Sequence, residues 1–192
     1  MTITEQLVEP MRAFTRRQLA VFCVSCAARI SPAFAPLAQQ TPTNTYDNWT
    51  GRAWQAVDAL DQEMARALDS QIMSTPEANE TDSYQAAYWA MRALAPLAYA
   101  VEAVFENGLE RAEWSSRATA DLLADLSYDV PNNLRELEFG EQAAVIAWLA
   151  AAGEGFKIEE AIDRAEKSQV KALIADVVRR FAVSNGWKSS AP

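Results

Sequence analysis

Apolar residues recur at spacings of three and four along the whole chain, and no segment alternates apolar and polar residues long enough to form a half-buried strand. That pattern folds as helices. Alanine is abundant and β-branched runs are short, which favours the same outcome. A length of 192 residues suits one ordinary domain around one hydrophobic core. With 50% apolar and 22% charged residues, the composition is that of a globular protein. The expectation is an all-α, single-domain multi-helix bundle of about six to eight helices over residues 1–187, followed by a flexible tail at 188–192.

The pattern divides as follows. A short helix covers Glu5 to Met11, and a strong one runs from Thr15 to Ile30 with Thr15 as N-cap and Leu19, Phe22, Cys23, Cys26 and Ile30 on one stripe. Ser31-Pro32 reads as a cap followed by proline at the first position of a separate short helix through Phe34 and Leu37. A third long helix is expected from Asp47 to Ile72, with Trp54, Val57, Leu60, Met64 and Leu68 facing inward. The polar, acidic stretch Ser74 to Ser83 reads as a linker. Further helices are expected over Tyr84 to Glu106, Ser115 to Tyr128, Glu141 to Ala152 and Ile158 to Ser184, with breaks at Asn107-Gly108, at Val130-Pro131-Asn132-Asn133 and at Gly153.

The chain contains no histidine. This removes imidazole acid/base catalysis, Ser-His-Asp and Cys-His nucleophiles, and imidazole-dependent zinc and diiron sites. Cys23-Val24-Ser25-Cys26 has the spacing of a redox dithiol, but it sits in the middle of a helical apolar run, where core packing is its ordinary role. Two cysteines one turn apart also fit a reducing, cytoplasmic setting better than a structural disulfide. No glycine-rich phosphate loop or Gly-x-Ser-x-Gly elbow is present. An all-carboxylate magnesium site is the one metal chemistry left open, at Asp58, Asp61 and Glu63 or at Asp121 and Asp125, where a solvated helix face with Arg117 pairing to Asp121 is the alternative. No cofactor is expected. The N-terminus lacks the apolar stretch of a signal peptide, and the most membrane-like segment, Ala86 to Phe105, carries Arg92 and Glu102, so no membrane span is expected.

A net charge of −9 opposes nucleic acid and anionic membranes and favours a basic protein partner. Acids gather on Asp58, Asp61, Glu63 and Asp69 and again on Glu77, Glu80 and Asp82, and convergence of the two groups would make a negative surface. Tyr46 and Trp49 bracket Asp47 beside a polar loop, where either core capping or partner contact suits them. The candidate partner-binding residues are Tyr46, Asp47, Trp49, Asp58, Asp61, Asp82 and Tyr84.

The run Arg16-Arg17-Gln18-Leu19-Ala20-Val21-Phe22-Cys23-Val24-Ser25-Cys26-Ala27-Ala28-Arg29-Ile30-Ser31-Pro32-Ala33-Phe34, followed by Gln39-Gln40-Thr41, resembles the opening of a small all-helical bacterial family of unclear biochemical role that grades into helical immunity proteins of polymorphic-toxin systems. The likeness continues through Asp82-Ser83-Tyr84 and, more weakly, to Trp148. The family has a Phe-Gly-Asp turn before its third helix and an Asp followed by a Trp within it. Here the turn reads Pro42-Thr43-Asn44-Thr45-Tyr46, and the helix offers Gln55 and Asp58. The resemblance implies a non-catalytic cytoplasmic protein that binds a cognate toxin and occludes its active site. A helical scaffold or regulatory module acting as a homo-oligomer, such as a homodimer, is the alternative.

Overall fold

The computed structural model describes residues 3–128 and 133–187. Nine α-helices form among them: α1 (Ile3–Met11), α2 (Arg16–Leu37), α3 (Thr45–Ala59), α4 (Gln62–Met73), α5 (Ala86–Glu102), α6 (Gly108–Leu126), α7 (Leu134–Ala152), α8 (Ile158–Glu166) and α9 (Gln169–Ser184). The expected tail and most of the expected break before α7 lie outside the described residues. The helices share one core and make a single all-α domain.

The bundle is built around α2. Thr15 and Gln18 close a capping box at its start, and the Gln18 amide also donates to the carbonyls of Leu149 and Gly153, 2.9 and 3.0 Å away, tying α2 to the end of α7. From Gln18 to Ser31 every residue of α2 is buried, because α3, α5, α6, α7, α8 and α9 all pack on it. It is the one described helix long and apolar enough to cross a membrane, and 89% of its apolar window is covered by the rest of the protein. This corrects the expectation that α5 is the membrane-like segment.

The helix also runs on through Pro32 and Pro36, where a break was expected. An interior proline removes a backbone bond and costs roughly 3 kcal/mol. Burial of Ile30, Phe34 and Leu37 around Pro32, each stabilising by roughly 1.5–3 kcal/mol, offsets it.

Two expected helices are each divided. Leu60 adopts a left-handed conformation (φ 50°), so that Leu60 N–H bonds to Val57 O at 3.3 Å and Asp61 N–H to Ala56 O at 2.8 Å. This is a Schellman ending with leucine where glycine is usual. Asp61 then caps α4, its Oδ1 accepting from Met64 N–H at 3.0 Å. Ser168 does the same for α9, its Oγ accepting from Lys171 N–H at 3.3 Å. Fusion of the Ser31–Leu37 segment into α2 and these two divisions account for the final number of helices. α6 and α7 begin about two turns earlier than the apolar pattern indicates, each capped by an asparagine, Asn107 and Asn133.

Candidate binding cleft

One face of α3 carries Asp47, Thr50, Gly51, Trp54, Gln55 and Asp58, spaced by three and four so that they align along the helix. Opposite stands α8 with Ile158, Ile162 and Glu166, one per turn. Both helices rest on α2 and scarcely touch each other, which leaves a cleft of about 700 Å³ between them. Ser31 and Pro32 of α2 contribute to its lining, and Lys171 of α9 lies at one end. Trp54 and Ile158 are nearly covered at 6% and 9% exposure, whereas Asp47, Gly51, Gln55 and Asp58 are exposed along the rim. The result is a size and an apolar-floored, polar-rimmed chemistry typical of binding clefts.

The rim charges are not equivalent. Asp58 accepts from Arg17 Nη2 at 2.6 Å, and that guanidinium also stacks over Phe156 at 4.2 Å. Glu166 and Lys171 pair at 2.5 Å. Asp47, in the first turn of α3, has no ion pair among the described residues. It is the free charge of the cleft.

Among the sequence candidates, the cleft gathers Asp47 and Asp58 only. Tyr46 and Trp49 lie on the other side of α3, in the core. Tyr46 is 1% exposed, its hydroxyl within reach of the Ala27 and Ala93 carbonyls at 3.2 and 3.1 Å and its ring against Phe34 at 5.4 Å. Burial, with a smaller contribution from Asp47, pushes that hydroxyl above the ordinary tyrosine range. Neither aromatic has surface to offer a partner, which corrects their place among the contact candidates. Asp61 is occupied as a helix cap. Asp82 accepts from Tyr84 N–H at 3.0 Å in the exposed turn before α5, and Tyr84 is 85% exposed. Asp61, Asp82 and Tyr84 do not line the cleft.

Several of the other acids singled out in the sequence are turned inward or paired. Glu77 turns inward (1% exposed) and receives the backbone N–H groups of Gln39, Gln40 and Thr41 on Oε1 at 3.1, 2.8 and 3.0 Å, with the Thr41 hydroxyl on Oε2 at 2.5 Å. Asp69 is half-buried near Arg111, which sits 2.7 Å from Glu102; burial raises both carboxyls and Arg111 opposes the rise. Asp121 lies 3.6 Å from Arg135 and Asp125 2.6 Å from Arg92, while Arg117 pairs with Glu113 and not with Asp121.

A second constellation, missed in the sequence, lies in the core. Arg29 of α2 donates through Nε and Nη2 to Glu138 of α7 at 2.9 and 2.5 Å, and Glu138 also accepts from Gln142 Nε2 at 2.9 Å. Ser116 of α6 completes the chain by donating to Gln142 Oε1 at 2.5 Å. Burial alone would lower the Arg29 pKa, but the Glu138 carboxylate outweighs it and holds the guanidinium charged. Cys26 lies 3.4 Å from Arg29 Nη2, yet burial pushes its thiol up to about 12, and that of Cys23 rises as well. These are satisfied, solvent-free groups holding three helices together, with protonated thiols beside them. The arrangement serves structure. Its sequence signal is the inward register Leu134, Glu138, Gln142, Val145 and Leu149 on α7.

Residues 6–185 match the family described as "Protein of unknown function (DUF416)". The chain belongs to the DUF416 family. The match spans nearly all the described residues of this DUF416 protein, including both walls of the cleft, and it carries no statement about toxin immunity. No curated protein and no solved structure matches the chain.

Proposed function

We propose that this protein acts without catalysis, by binding another protein through the α3–α8 cleft, and that the partner is a bacterial toxin it neutralises as an immunity protein in the cytoplasm. The observation that carries the reading is the aligned face of α3 from Asp47 to Asp58, most of which stays at the surface of an apolar-floored cleft. The opening run Arg16 to Phe34, which resembles a helical family of unclear role that grades into immunity proteins, supports the finer reading. A net charge of −9 favours encounter with a basic toxin domain. The two free thiols, both buried and protonated, suit a reducing compartment.

The test is co-expression with the toxin-like product of the neighbouring open reading frame. Rescue of growth and co-purification as a defined complex are expected, and both are lost when Gly51→Leu fills the cleft in a protein that still folds. Growth inhibition unrelieved by the native chain, with no complex formed, removes the immunity reading. A self-associated species with no effect on toxicity supports the homo-oligomeric scaffold instead.

A further inference from the structure

Gly51 stands in the middle of α3, where glycine destabilises a helix by roughly 0.5–1 kcal/mol relative to alanine. Neither of the usual reasons for a buried or turn glycine applies. Its φ is not positive, and a Cβ placed there meets nothing within 4 Å. Gly108 differs, since a Cβ there would approach Leu19 Cδ1 to 3.2 Å. Gly140 of α7 is just as open, so what singles out Gly51 is the cleft it lines. It lies on the same stripe as Asp47 and Trp54, across from α8.

We infer that the cleft receives a basic, amphipathic helical segment of the partner protein, with an apolar side chain seated over Gly51 against Trp54 and Ile162 and a lysine or arginine reaching Asp47. This rests on the protein-binding reading and adds the chemistry of what is bound. Length supports a segment: Asp47 to Asp58 spans about 16 Å at 1.5 Å per residue, three turns of a facing helix. Charge supports a basic one. The lining holds three carboxylates, Asp47, Asp58 and Glu166, against one ammonium, Lys171. Since Asp58 and Glu166 are already paired, Asp47 is the acid left to meet an incoming cation.

The experiment measures fluorescence anisotropy of a labelled 14-residue leucine/lysine amphipathic peptide, and of its leucine/glutamate counterpart, titrated with the full chain. The lysine peptide is expected to bind and the glutamate peptide not to. Gly51→Leu should weaken binding at least tenfold without lowering the unfolding midpoint, because leucine improves α3 while it blocks the cleft. Asp47→Lys should also weaken binding at least tenfold, and Glu136→Lys, an equal charge change on α7 outside the cleft, less than twofold. Equal binding of both peptides, no binding of either, equal losses for Asp47→Lys and Glu136→Lys, or indifference to Gly51→Leu would each overturn the inference. So would a dimer of the native chain that Gly51→Leu dissociates, since the occupant is then a second copy. If neither peptide binds but Gly51→Leu still abolishes toxin rescue, the cleft binds a partner of other chemistry and the protein-binding reading stands.

Discussion

Glu77 is a single carboxylate that organises a loop. Three consecutive N–H groups and one hydroxyl, from Gln39 to Thr41, converge on it at the point where the chain leaves α2 and heads for α3. Burial works to raise its pKa, but the Thr41 hydroxyl and the N–H groups of Gln40 and Thr41 outweigh it, and the net shift is downward from 4.5. A carboxylate with a depressed folded-state pKa contributes stability above its unfolded pKa and loses it as pH falls through the folded value. Glu77→Gln should therefore destabilise the protein by about 2 kcal/mol at neutral pH, the size of a charged hydrogen-bond set. That difference should be constant above pH 5 and shrink as pH falls below 4.5. Urea unfolding of both proteins across pH 3–7 measures it. A difference that stays level down to pH 3 would show that the charge is not what holds the loop. Asp69 and Glu102 have raised values and so gain stability on protonation, but they are common to both proteins and cancel in the comparison.

At the scale of elements, the Arg29–Glu138 pair joins α7 to the central helix, and its worth depends on what replaces it. Removing one partner leaves a buried charge alone, which costs about 3–5 kcal/mol, whereas replacing both by apolar residues is often neutral or stabilising. Arg29→Met and Glu138→Leu should each destabilise strongly, and the double variant should recover most of the loss. Denaturant midpoints of the four proteins test this, and simple additivity of the two losses would sink it. The same pair explains what was legible in the sequence. Helix type and inward faces follow from apolar spacing, so α2, α5 and the Thr15 cap are readable directly. The first two turns of α7 were not, because Arg135, Glu136 and Glu138 look solvated until Arg29 is known to lie opposite. The break at Leu60 was hidden because leucine favours helix and rarely takes the left-handed conformation it adopts there. Of the site, Asp47 and Asp58 were visible as acids of α3. Gly51 was not visible as part of a site, since its meaning depends on α8 standing across the cleft.

For the molecule as a whole, the position of α2 ties local chemistry to global stability. Cys23 and Cys26 sit on a helix enclosed by six others, and both are fully buried. A reagent can reach them only if the surrounding helices leave, so the opening that exposes a sulfur is the global unfolding transition and not a local fraying. Reaction with a disulfide reagent should then be slow in the native protein and accelerate with urea, with the same slope that equilibrium unfolding shows. The chemistry adds a second signature. In the folded protein burial holds the Cys26 thiol up to about 12, whereas an exposed thiol titrates near 8.5. If reaction proceeds through the unfolded chain, the rate rises about tenfold per pH unit below 8.5 and levels off above it. Labelling that is fast, insensitive to urea and still rising above pH 9 would place the reactive state inside the folded bundle, and α2 would not be the last helix to lose its cover.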